Sequence, residues 1–285
     1  NIQSVSLATI DRVLIRNDIR TKQVHRVPYE RNSYRVKEMR YQYVERILEL
    51  DASTAPQECI FVDEAGFNLS KRRRRGRNVI GHRATVQVPG QRGGNITMCA
   101  AISRHGVICH RAMIGPYNTA RLLSFLDQLL EHLIPHGDVG LQGQHQTEFI
   151  IIWDNVPLHH RAFVRVWFQA HARCAILFLP PFSPFLNPIE EVSASTTLKV
   201  YDHHPQEQAT LIQAMEAACE DITVEACQGW ICHARLFFPR CMARDNVLCD
   251  VDENLWPDRN ERQGNEEYNY NWICQIMWCT LCFLF

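Results

Sequence analysis

The chain has 285 residues, 46% hydrophobic and 21% charged, values that exclude a disordered or collagen-like polymer and allow one large domain with a small attachment. Thirty basic residues against thirty-one acidic ones leave a formal charge of −1, which excludes a uniformly basic nucleic-acid coat but hides a strong segregation. Residues 1–50 hold 10 Lys/Arg and 6 Asp/Glu, residues 70–94 hold 8 Lys/Arg and no acid, and residues 245–285 hold 8 acids and 2 Arg. Charge sorted in this way predicts a polyanion-binding face and an acidic tail. The 12 cysteines are scattered from Cys59 to Cys282 without the tight spacing of a disulfide scaffold; they read as reduced thiols of an intracellular protein. The start carries no secretory pattern, and the chain opens on Asn1 within a helical pattern, as a copy shortened at its N-terminus would.

Taken in order, residues 6–16 place Leu7, Ile10 and Leu14 at helical spacing, with Ser6 as a cap. Arg12, Arg16 and Arg20 lie four apart, roughly opposite that apolar stripe. Such a face suits phosphate contact, and equally a solvated surface. A second helix is predicted from about Ser33 to Leu50, carrying Val36, Met39, Tyr43, Ile47 and Leu50, and Pro56 closes the segment. From there strands and helices alternate. Residues 59–62 form a short apolar strand ending on Asp63, and runs 96–102 and 106–114 read as a hairpin. Asn118 caps a Leu-rich helix stopped by Pro135, and the apolar run 149–153 reads as a strand buried on both faces, ending on Asp154. A helix from about His159 to Ala172, a strand over 174–179, a Pro-rich turn and a helix from about Asn187 complete an α/β pattern, a mixed sheet covered by helices.

Two strands ending in Asp63 and Asp154 put two carboxylates at the sheet edge where α/β folds bind ligands. Glu190 begins the helix after the Pro-rich turn. Three acids brought together repel one another unless they share a cation, and hard oxygen ligands favour Mg²⁺ or Mn²⁺ over zinc. Two such ions would suit phosphodiester chemistry. Lys71, Arg72, Arg73, Arg74, Arg75 and Arg77 follow the first Asp, where a polyanionic substrate would need them. Each residue also has a plainer use. A strand-end Asp caps helices or forms turns, Asn187, Pro188 and Glu190 fit a capping box, and a run of Arg serves as a solvated loop or a nuclear-import signal.

The segments FVDEAGFNL (61–69), WDNVPLHH (153–160) and LPPFSPFLNPIEE (179–191) resemble, in order, the catalytic signature of mariner-type DDE transposases and their bacterial insertion-sequence relatives. The resemblance runs to about residue 258. It implies a ribonuclease H-like core preceded by a partial helix-turn-helix segment. It implies Asp63, Asp154 and Glu190 as a metal-binding catalytic triad, with Mg²⁺ or Mn²⁺, in two ions, as cofactor. The implied partner is double-stranded DNA, as transposon terminal repeats and as target, and a homodimer is the implied oligomer to test. The implied reaction is hydrolysis at transposon ends followed by attack of the freed 3′-hydroxyl on target DNA. On this basis residues 1–30 are a helix-turn-helix remnant, 31–55 a linker helix, 56–244 the catalytic domain and 245–285 an acidic, then apolar, tail.

The spacing from Asp154 to Glu190 is one residue longer than is common in that family; Glu191 would lengthen it further, and Glu190 completes the NPIE motif. The following VSASTTLKV replaces the usual bulky aromatics with mediocre helix formers that have little to bury, so the helix holding Glu190 is expected to be loosened. The rival reading is a DNA-binding protein that kept the fold and lost the reaction; a third is an RNA-cleaving hydrolase. Cys227, Cys232, His233 and Cys241 match no structural zinc spacing, and His159 and His160 read as structural. The apolar end 272–285 is too short to span a membrane, which needs about 20 residues. A DNA-processing protein of this kind is expected in the nucleus of a eukaryote and otherwise in the cytoplasm.

Overall fold

Alternation along the strands decides which side of the sheet each residue serves, because successive side chains point to opposite faces. A computed structural model describes residues 6–17, 19, 27–67, 79, 85, 95–134, 146–202 and 207–247. The predicted basic segment 71–77, Arg20 and the C-terminal tail lie outside these residues. Five strands, β1 (Gln57–Phe67), β2 (Ile96–Ser103), β3 (Gly106–Ile114), β4 (Glu148–Trp153) and β5 (Cys174–Phe178), form one sheet in the order β3-β2-β1-β4-β5. The β1–β2 and β2–β3 pairs are antiparallel, and β1–β4 and β4–β5 are parallel. This is the mixed, ribonuclease H-like layout expected from the sequence.

Eight α-helices accompany the sheet among the described residues: α1 (Leu7–Arg16), α2 (Tyr34–Ala52), α3 (Thr119–Leu133), α4 (Ala162–Ala170), α5 (Ile189–Asp202), α6 (Gln208–Glu220), α7 (Val224–Arg235) and α8 (Phe238–Met242). Ile60, Val62, Cys99, Ala101, Ile151 and Trp153 face one core, completed by Leu122, Phe125, Leu126 and Leu129 of α3 and Val164 and Trp167 of α4. Their alternates Phe61, Ala100, Ile102, Ile150 and Ile152 face the other, completed by Tyr43, Val44, Ile47 and Leu50 of α2 and by residues of α5, α7 and α8. From residue 149 to 153 β4 is apolar and buried because it is covered on both faces, as the sequence predicts.

Caps follow the sequence reading at two helices, where Ser6 and Asn118 accept hydrogen bonds from the Thr9 and Arg121 main-chain N–H groups, and Ser33, read only as the start of the second helix, accepts likewise from Val36. Three expectations need correction. β1 does not stop at Asp63 but continues to Phe67, because β2 pairs with it beyond the end of β4, with Asp63 opposite Ala100. The helix after the Pro-rich turn is not capped by the Asn187 side chain, which is directed to Asp63 instead. And α5 has more to bury than its composition suggests: Ile189, Val192, Thr196 and Val200 form one buried stripe, and Val200 joins a third core with Leu211, Met215, Ala218 and Cys219 of α6. Polar β-branched residues pass unnoticed in composition but pack well once a neighbouring helix covers them.

α1 buries none of its residues, and Leu7, Ile10, Val13 and Leu14 are exposed. No helix among the described residues is long and apolar enough to cross a membrane.

The β2–β3 turn depends on Gly106, which has φ +113° and whose added Cβ would stand 3.2 Å from the Val224 side chain. Gly106→Ala is expected to destabilise the protein by about 1–2 kcal/mol, measured as a lower urea midpoint at unchanged slope.

Candidate active site

The site is made where the parallel pair ends. The register aligns Phe61 with Ile152, so continuing two residues along each strand brings Asp63 level with Asp154, one residue past the end of β4. Both carry the parity of the core on the α2–α5 side. Glu190, the second residue of α5, approaches from the turn after β5. The effect of this convergence is visible on Asp63. Burial, then the negative charge of Glu190 and, more weakly, Asp154 push its carboxyl up to about 7, against the lowering pull of the Glu64 N–H. Asp63 Oδ1 accepts from that N–H at 2.8 Å and Oδ2 accepts from the Asn187 side-chain amide at 3.1 Å.

The other side of the site is held by His159, only 1% exposed and stacked on Trp153 with ring centroids 4.0 Å apart. Its Nδ1 lies 3.0 Å from the Asp154 main-chain oxygen and 2.8 Å from Asp154 Oδ1, and its Nε2 lies 3.3 Å from Glu64 Oε1. Burial pulls the imidazole's pKa down, but the hydrogen bonds to Asp154 and Glu64 outweigh it and hold the ring protonated, up to about 9. The Nδ1 side of the ring thus faces both the main-chain carbonyl and the Asp154 carboxylate, with which the imidazolium makes an ion pair. Asn187 Oδ1 is buried without a hydrogen bond.

The three acids of the sequence reading therefore share one edge of the sheet. Among the described residues, the group whose ligand atoms lie within 4.8 Å of one another is Glu64, Asp154 and His159, of which the sequence reading named only Asp154 as a ligand. A protonated imidazole has no lone pair to offer a metal, so in the metal-free protein His159 acts as a cation that orients Asp154 and Glu64. The donor set suits a hard divalent cation: carboxylates that repel one another, beside a buried Asn187 Oδ1 that accepts no hydrogen bond. Arg12 and Arg16 lie on the exposed helix α1, where Arg12 Nε donates to the Ala8 carbonyl at 3.2 Å. Arg20 and Lys71 to Arg77 fall outside the described residues.

Sequence reasoning set His159 aside and did not weigh Glu64. The available signal was the Asp-Glu pair on one strand, which alternation sends to opposite faces, with a histidine five residues after the second Asp. It also assigned Asn187 to a cap rather than to Asp63.

In metal-free protein, ionised Asp63 costs stability. Its raised pKa means that stability is highest below the ordinary carboxylate range and is lost as pH rises from about 4 through about 7. At about 1.4 kcal/mol per unit the penalty above pH 7 is at most about 4 kcal/mol, and Asp63→Asn gives back about 1 kcal/mol through one lost hydrogen bond. Asp63→Asn is therefore expected to unfold at higher denaturant than the wild type at pH 8 with a chelator present, and at similar denaturant at pH 4. A less stable variant at pH 8 would contradict the strained-carboxylate account.

Residues 58–212 match the family model described as DDE superfamily endonuclease. Among solved structures, the chain is similar to the Mos1 mariner paired end complex with Mn, at 18% identity over 86% of this chain and 72% of that one, with a TM-score of 0.66. It is similar to the Mos1 Strand Transfer Complex at 18% identity, over 86% of this chain and 72% of that one, with a TM-score of 0.65. The catalytic domain of Mos1 mariner transposase is covered over 100% of its length by 79% of this chain, at 15% identity and a TM-score of 0.55. Likeness at such low identity establishes a shared fold. No curated protein matches the chain. Because the family model spans more than half of the sequence and takes in both strand-edge aspartates and the turn bearing Glu190, the chain belongs to the DDE superfamily endonuclease family.

Proposed function

We propose that the protein is a DNA transposase that cuts phosphodiester bonds at transposon ends and joins the freed 3′-hydroxyl to target DNA. The observation that supports this reading is that Asp63 and Asp154 stand level at one end of the β1–β4 pair, with Glu190 near enough that its charge adds to burial in pushing the Asp63 carboxyl up to about 7. Mos1, the relative of similar fold, is a mariner transposase whose complexes include paired ends with Mn and Mg and a strand transfer complex. Asp63 and Asp154 would hold Mg²⁺ or Mn²⁺, both ions or one each, and Glu190 would complete the site. When bound, two such ions activate the attacking oxygen and stabilise the leaving one.

The chain's own residues prepare that step. Asn187 donates to Asp63 Oδ2 while the Glu64 N–H donates to Oδ1, and together they fix the orientation of the carboxylate. His159 holds Asp154 against the end of β4 and excludes water from that side through its stacking on Trp153. The 71–77 segment and Arg12, Arg16 and Arg20 would bind DNA phosphates, and residues 1–30 would belong to a helix-turn-helix unit. The place of action follows the substrate: the nucleus in a eukaryotic host, the cytoplasm otherwise. Paired transposon ends suit a homodimer, one site per end.

The test is Mn²⁺-dependent nicking of duplex DNA carrying candidate terminal repeats. Wild type is expected to nick, and Asp154→Ala is expected to lose about a thousandfold or more while keeping its circular dichroism spectrum, since several kcal/mol of charge stabilisation goes with the ligand. Nicking that survives Asp154→Ala would overturn the assignment.

A further inference from the structure

The position of Glu190 is set by the turn joining β5 to α5, and that turn is gripped by a residue more than a hundred positions earlier. Arg40 lies on the buried stripe of α2 with Val36, Tyr43, Val44 and Ile47, and is 1% exposed. A guanidinium sits where the helical repeat calls for an aliphatic side chain. Burying it is unfavourable unless its N–H groups find acceptors, and two of its acceptors are in this turn. Nε donates to Ser183 Oγ at 2.8 Å and Nη2 donates to the Phe182 carbonyl at 3.0 Å. Ser183 Oγ in turn donates to the Pro181 carbonyl at 3.0 Å.

The residue so held is strained. Phe182 has φ +55°, the left-handed region that a bulky side chain avoids. The same guanidinium lies 5.2 Å from the centre of the Phe185 ring, and Arg31, itself buried, lies 5.3 Å from it. From this clamp a single 3-10 turn, Pro184–Leu186, leads to Asn187. The Asn187 amide donates to Asp63 at 3.1 Å, and its main-chain oxygen accepts the Glu190 N–H at 3.2 Å. A path of hydrogen bonds and one 3-10 turn therefore runs from α2 to the Asp63 carboxylate and to the main chain of Glu190.

We propose that Arg40 is a positioning residue: it holds the 181–187 turn in its strained form and so sets Asn187 and Glu190 against Asp63. The inference rests on the reading of Asp63, Asp154 and Glu190 as the metal-binding acids. It also makes the helix next to the DNA-binding end a part of the active site's support. Lysine cannot replace it, because one ammonium lacks the planar fork that spans a hydroxyl and a carbonyl.

The test compares Arg40→Lys and Ser183→Ala with Val44→Ala, a cavity-forming change on the same helix that leaves the clamp in place. Two measurements are made on the full chain: deuterium exchange of peptides covering 181–191 and 148–153, and Mn²⁺ affinity by titration calorimetry. Arg40→Lys is expected to speed exchange in 181–191 by about tenfold with 148–153 unchanged, and to weaken Mn²⁺ binding by about fivefold or more. Ser183→Ala should move both in the same direction by less. Val44→Ala, at an equal or larger loss of Tm, should leave both within about twofold. Arg40→Lys and Ser183→Ala behaving like Val44→Ala, or unchanged exchange in 181–191, overturns the proposal. A wild type that binds no Mn²⁺ overturns the metal reading instead, and the exchange comparison still decides whether Arg40 holds the turn.

Discussion

Carboxylates that repel one another are held together at the end of a parallel strand pair, and the surrounding structure is arranged to keep them there. Parallel pairing of β1 with β4 sets Asp63 level with Asp154, and β1 continues past the end of its partner because β2 supports it from the other side. Without that antiparallel extension Asp63 would sit on a free strand end. With it, the carboxyl is fixed in a buried place where its charge is disfavoured. Stability is given up locally, a common arrangement at functional sites.

Support comes from both faces of the sheet, by different chemistry. On the α3–α4 side the protonated His159, stacked on Trp153, draws Asp154 and Glu64 together. On the α2–α5 side the tie is made by neutral and cationic donors, Asn187 to Asp63 and Arg40 to the turn before it. α2 and the turn before it are further fastened to residues 244–247: Arg244 pairs with Glu38 at 2.8 Å and lies over the Tyr41 ring, and Asn32 exchanges hydrogen bonds with the Val247 main chain. The helix between the N-terminal segment and the sheet is thus packed as part of the catalytic core.

Much of the fold could be read from residue order, because periodicity carries it. The hairpin over 96–114, the doubly buried β4 and the caps at Ser6 and Asn118 all follow from local pattern. The edge acids were legible for the same reason: each follows an apolar run. What escaped were pairings between segments distant in sequence. Asn187 satisfies every local rule for a cap, yet its amide is used on Asp63, 124 positions away. His159 looks like an ordinary helix-start histidine until Glu64 is brought to it across the sheet. Arg40 was the most accessible of the misses, since its spacing from Val36, Val44 and Ile47 already placed it on the buried stripe. The composition of α5 misled in the other direction, because Thr196 and Val200 pack only once α6 is present.

The most direct measurement of the central claim is a crystal structure of the protein grown with Mn²⁺, with the metal located by its anomalous scattering. The account predicts Mn²⁺ bounded by carboxylate oxygens of Asp63, Asp154 and Glu190, at roughly 2 Å from each oxygen it binds. Metal held by Glu64, Asp154 and His159 with Asp63 and Glu190 left unliganded, or no anomalous peak at this edge of the sheet, would contradict it.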